Sequence, residues 1–191
     1  MLAATHNVES WTTCPTCQQY YTGDADVGLA RARWETVCDR PEEDNERLFV
    51  ANNLAVSLKE SAGDNLGALR LMEEVLAIRR RTLGDEDPQT LDSVTNLALQ
   101  HTEMGNFAFA LPLSEEAVAA TRRTLGHGHE HSLVSIGSLA ALHTSMGSYS
   151  LACPLHEEAL AARRRTLGEP SVAVLGSGLR LGLGVCARRR A

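Results

Sequence analysis

Cys14 and Cys17 stand three positions apart in Trp11-Thr12-Thr13-Cys14-Pro15-Thr16-Cys17. That spacing lets two thiolates bind one tetrahedral zinc ion, so the pair is the one place where a cofactor is expected. His6 upstream and Cys38 downstream are the only further ligands near it, and neither sits at a spacing that closes a known site. A redox pair is the other chemistry of two such thiols, but no βαβ pattern surrounds it. His127-Gly128-His129-Glu130-His131 is a second metal-competent stretch, with three imidazoles on one short turn suited to zinc or nickel. Such a turn lacks a rigid frame. The glutamate pairs at 73/74, 115/116 and 157/158 recur at a fixed interval, which suits a solvated helix face better than acid–base work. His156-Glu157 lacks the second histidine of a zinc-binding helix, and Gly176-Ser177-Gly178 lacks the spacing of a nucleophile elbow. Lys59, the single lysine, is not near a glycine-rich phosphate loop. No catalytic constellation results, and an enzyme is not expected.

These side chains sit in a repeated frame. The endings Thr82-Leu83-Gly84, Thr124-Leu125-Gly126 and Thr166-Leu167-Gly168 lie 42 residues apart, each preceded by a Glu-Glu pair and arginines. A period of this size marks a stacked-repeat architecture. Leu91, Val94, Leu97, Ala98 and His101 recur at helical steps, Gly105 interrupts them, and Phe107, Ala110, Leu113, Ala117 and Val118 trace a second amphipathic helix. Arg122 and Arg123 then suit the negative end of that helix. Ala68, Ala110 and Ala152 share one register, as small residues do where two helices approach closely. The pattern predicts helices over about 45–61, 65–82, 88–104, 107–124, 130–146 and 149–166. Pro112 and Pro154 fall early in theirs.

Asn96-Leu97-Ala98, Met104-Gly105, Ala110-Leu111-Pro112-Leu113, Glu115-Glu116 and Thr124-Leu125-Gly126 resemble a tetratricopeptide repeat of the kinesin-light-chain type. The likeness covers about residues 47–170. Asp87 stands where that type usually has His, and His129 keeps the His. The first repeat departs in two ways. One extra residue lies between Asn53 and Gly63, and Asn65 replaces the aromatic found at Phe107 and Tyr149. The resemblance implies an all-α, right-handed α-α superhelix of three helix pairs, with a peptide or protein partner in its concave groove. Asn96 matches a first-helix position at which the family presents Asn to a peptide backbone, and an amide both donates and accepts. Asn53 and Ser138 are its counterparts. Thr95, Leu99 and Glu103 are expected on the same face. The competing reading of Asn96 is a bond between neighbouring repeats. First helices carry no cluster of Lys and Arg, which argues against a carboxylate clamp.

The bounds agree with a protein-binding role. The 191 residues are 43% hydrophobic and only 4% aromatic, as a Leu/Ala helical core would be. The net charge of −6 argues against a nucleic-acid partner and falls in residues 1–46, with nine acids against three bases. No secretory signal and no membrane span are read, and five scattered cysteines fit a reducing compartment, so a cytoplasmic protein is expected. Residues 1–23 form a C-x-x-C remnant. Cys-Pro-x-Cys with Trp11 before it resembles the last ligand pair of a RING or RING-CH finger, but the earlier pairs are missing. Residues 24–46 read as a capping helix carrying Val27, Leu29, Ala30, Trp34 and Val37, ended by Pro41, with an acidic linker. Residues 47–170 are the repeats, and 171–191 a degenerate capping helix with the basic end Arg188-Arg189-Arg190. A non-enzymatic interaction scaffold is the leading reading. The alternatives are a substrate reader of a zinc-finger ubiquitin ligase, or a structural piece of a longer array that self-associates through open ends. A motor-cargo adaptor lacks support, because no heptad coiled coil is read.

Overall fold

The structure, a computed structural model, describes residues 24–167. They form α1 (Asp24–Glu35), α2 (Asn45–Glu60), α3 (Asn65–Leu83), α4 (Pro88–Glu103), α5 (Phe107–Thr124), α6 (Glu130–Ser145) and α7 (Tyr149–Leu167), with no strand among the described residues. The chain divides into two compact units, Met1–Ile78 and Arg79–Ala191, and the boundary falls inside α3.

In the first unit Leu48 and Ala51 of α2 meet Val75 and Ile78 of α3, and Trp34 of α1 packs against them. Asp44 begins α2 by accepting from the Arg47 N–H at 2.9 Å. That bond, aided by the Arg40 charge, holds the Asp44 carboxyl below its ordinary range. The extra residue of the first repeat lies in the turn. Asn45 and Pro88 start helices of 16 residues each, so α2 and α4 are equal in length, and only the Ser61–Gly63 segment is longer than Met104-Gly105. Asn53 is therefore the counterpart of Asn96.

In the second unit α5, α6 and α7 enclose Ala110, Val118, Leu133, Ile136, Leu139, Leu142, Ala159 and Ala162, with Phe107, Leu111 and Leu155 at the margin. Ala110 and Ala152 are fully buried, as their shared register requires. Helix ends are closed locally. Asp87 accepts from the Gln89 N–H at 2.8 Å, and His129 Nδ1 from the His131 N–H at 3.3 Å. The residue that varies in this linker is thus the N-cap of the next first helix, and Asp suits that role well. At the other end of α4, Gly105 takes φ +74, which lets its N–H reach the Thr102 carbonyl and the Asn106 N–H reach that of His101. Gly147 repeats this geometry after α6. Pro112 and Pro154 lie deeper than the first free turn and remove a bond to Ala108 and Ser150, both exposed residues. Cys38 is a free thiol.

Candidate peptide-binding face

Asp92, Asn96, Leu99 and Glu103 follow at steps of four, three and four along α4, which places them on one helix face. The first three are half-buried and Glu103 is exposed. On α6, Val134, Ser138, Ala141 and Ser145 follow at the same steps, with Ser138 and Ala141 half-buried. The helices α4 and α6 pack against each other. Two contacts fix them together: Thr95 Oγ1 lies 3.2 Å from Ser135 Oγ, and His131 Nδ1 hydrogen-bonds Asp92. The two rows therefore share a joined floor.

Asn96 and Ser138 make no side-chain hydrogen bond within the described residues, so both keep their donors and acceptors for something else. Leu99 lies between Asn96 and Glu103 on the same row. Thr95 does not belong with them. It is only 6% exposed, and its hydroxyl is committed to the Leu91 carbonyl at 2.9 Å and to Ser135. Asn53 lies half-buried on α2 in the first unit. Neither α4 nor α6 contains Lys or Arg, while Asp92, Glu103 and Glu130 are acidic. The face is neutral to acidic. Asp92, Val134, Ala141 and Ser145 were not singled out from sequence. Their signal was present as the helical continuation of Asn96 and Ser138.

The second helices use their charges differently. Arg122 Nη2 donates to both carboxylate oxygens of Glu158 at 2.7 Å, and Arg80 Nη2 donates to Glu116 Oε1 one repeat earlier. Both pairs span 36 residues. Of the glutamates expected on a solvated face, Glu116 and Glu158 in fact link successive repeats, through arginines expected only at a helix end. Arg79 is buried and donates to the Gln89 carbonyl at 2.9 Å and to Ser93 Oγ at 2.7 Å, tying the end of α3 to α4. His156 is fully buried, and its Nε2 lies 3.3 Å from Thr144 Oγ1.

The three histidines of the turn are separately engaged. His129 caps α6 and stacks on His131 at 5.3 Å, His131 holds Asp92, and exposed His127 lies 3.9 Å from Glu158. No cluster of three or more metal-binding side chains occurs among the described residues. Cys14 and Cys17, and the RING-like stretch around them, lie outside the described residues, as does the basic C-terminal end.

Tetratricopeptide-repeat signatures match residues 92–165 and 50–89. The chain is a tetratricopeptide-repeat protein. Two crystal structures of a candidate kinesin light chain of Podosopora anserina with nearly identical repeats resemble this tetratricopeptide-repeat protein. They share 27% identity with it, over 86% of this chain and 79% of theirs, with TM-scores of 0.67 and 0.66. BtubC (BKLC) from P. vanneervenii matches in fold at 22% identity, over 86% of this chain and 65% of its own, with a TM-score of 0.70. None of the curated proteins matches the chain. The tetratricopeptide-repeat protein is thus an all-α helical-repeat scaffold of kinesin-light-chain-like fold, a non-enzymatic class that binds proteins. No helix of the described residues is long and apolar enough to cross a membrane.

Proposed function

We propose that the chain binds an extended peptide segment of a partner protein along the α4–α6 face. Asn96 carries this reading: a half-buried amide with no side-chain hydrogen bond among the described residues, on the same row as Leu99 and in register with Ser138. An incoming backbone N–H and C=O are satisfied by one amide, and the peptide's buried polar groups then lose little on leaving water. Leu99, Val134 and Ala141 supply apolar contact. The absence of Lys and Arg on both helices favours a neutral or basic segment over an acidic one. Asn53 is proposed to do the same work on α2, within the first unit. Residues 24–46 are taken as the cap and 47–170 as the repeat array.

The test is a selection from a random peptide library on the purified chain, followed by titration of the selected peptide. A peptide whose affinity drops on Asn96→Ala, with amide shifts on α4 and α6, supports the reading. Selected peptides that bind Asn96→Ala as tightly as the parent chain remove the face from consideration.

A further inference from the structure

In the first unit, Trp34, Arg47, Leu48, Ala51, Leu71, Glu74, Val75 and Ile78 line a shallow surface hollow. Its floor is apolar. Arg47 at the rim is engaged: its guanidinium lies 5.7 Å from the Trp34 ring centroid and donates to the Arg40 carbonyl at 2.6 Å. Glu74, also at the rim, is exposed and has no ion pair or hydrogen bond within the described residues.

Glu74 is the first of three equivalent glutamates. Glu116 holds Arg80 and Glu158 holds Arg122, each arginine lying 36 residues upstream. Allowing for the extra residue in the first turn, the equivalent of Arg80 stands 37 residues before Glu74 and is Val37, a buried apolar side chain that cannot supply the charge. The first repeat therefore presents the carboxylate of this pair without its guanidinium, beside an apolar hollow.

We infer that this pocket receives one arginine side chain from a partner protein. The guanidinium takes the Glu74 carboxylate as Arg122 Nη2 takes both oxygens of Glu158, and its planar fork offers a second parallel N–H donor that an ammonium lacks. The methylene stem covers Leu71 and Val75, as long cationic side chains do on apolar surface. Arg47 repels a second cation, so the occupant is a single arginine in an otherwise uncharged segment, not a basic run. The pocket lies in the first unit and does not depend on the α4–α6 reading.

The probe is the acetylated, amidated hexapeptide Ser-Ala-Leu-Arg-Ala-Ser, compared with its twin carrying citrulline, which keeps the shape and removes the charge. Titration of the ¹⁵N-labelled chain is expected to move the amides of Ala51 and Val75 and the Trp34 indole with the arginine peptide only. Glu74→Gln is expected to weaken that binding roughly fivefold, and added salt to weaken it further. Glu74 is exposed, so the variant should keep the parent circular dichroism spectrum, which separates lost binding from lost fold. Equal affinity for the citrulline twin, an unchanged affinity in Glu74→Gln, or shifts confined to α4 and α6 would each overturn the inference. So would a Glu74-dependent dimer in sedimentation without peptide, since the arginine would then come from a second copy.

Discussion

Arg122 holds Glu158 across 36 residues of sequence, while Asn96 on α4 holds no side-chain partner among the described residues. The contrast extends along the second unit. At the end of α3 and on α5 and α7, charges meet at a repeated interval and join one repeat to the next. On α4 and α6, the half-buried Asn96 and Ser138 stay unpaired among the described residues, beside Leu99 and Ala141. A repeat must do two things with its polar groups: fix its neighbour and leave a surface for others. Here the charge pairs fall on the second helices, while the first helices do both tasks side by side: Thr95 meets Ser135 and Asp92 meets His131, and Asn96 and Ser138 stay open. Position along the helix thus says more than residue type about whether a polar side chain is available.

The division can be broken wholesale or tested one face at a time. Ala110→Leu should disturb both faces at once, because Ala110 is fully buried where α5 packs; a loss of about 1–3 kcal/mol is expected from thermal or urea unfolding. Asn96→Ala should act on binding alone. Affinity for a selected peptide should fall about tenfold, or ~1.4 kcal/mol, with little change in melting midpoint. Its neighbour Thr95→Val should do the reverse. It removes the bond to Ser135 at nearly constant shape, costing about 1 kcal/mol of stability and leaving peptide affinity unchanged once folded. If Thr95→Val weakened binding as much as Asn96→Ala, the two positions would not face different ways. Glu158→Gln should give the smallest effect, about 0.2–1 kcal/mol, because the pair with Arg122 is partly exposed. That loss should shrink in high salt, whereas the Thr95 effect should not.

The helices were legible because period, glycine and amphipathic spacing all agreed. The observed bounds of α2 to α7 differ from the expected ones by a residue or less at each end. Asn96 was singled out through its family position, and the structure leaves it half-buried on α4. Thr95 was misplaced for a geometric reason: one residue along an α-helix is about 100° of rotation, which turns it from the open row into the α4–α6 contact. The Arg–Glu pairs were visible as letters but not as partners. Arginine in a last turn and glutamate in a middle turn each had a sufficient local explanation, and only packing shows that a 36-residue interval brings them together. The hollow beside Trp34 was hidden for a related cause. It is built by α1, α2 and α3 jointly, and its open carboxylate is recognised only against the two pairs that are closed.

His156 gives the second unit a chemical competitor as small as any ligand. Its ring is fully buried, one nitrogen faces Thr144, and Nδ1 has no partner among the described residues. Burial pushes its pKa below the ordinary 6.5, because a charged ring would lose its water there. The unfolded chain, by contrast, exposes the same imidazole to solvent and takes up a proton readily near pH 6.5. Hydrogen ions therefore bind the unfolded form preferentially. The contribution of this side chain is intact above pH 6.5 and declines as acid carries the solution down toward the lower folded value. Unfolding midpoints measured from pH 7.5 downward should record that uptake as a slope, and His156→Gln should flatten it. A mildly acidic compartment would thus loosen this unit through one buried ring, without any change in the charges that join its repeats.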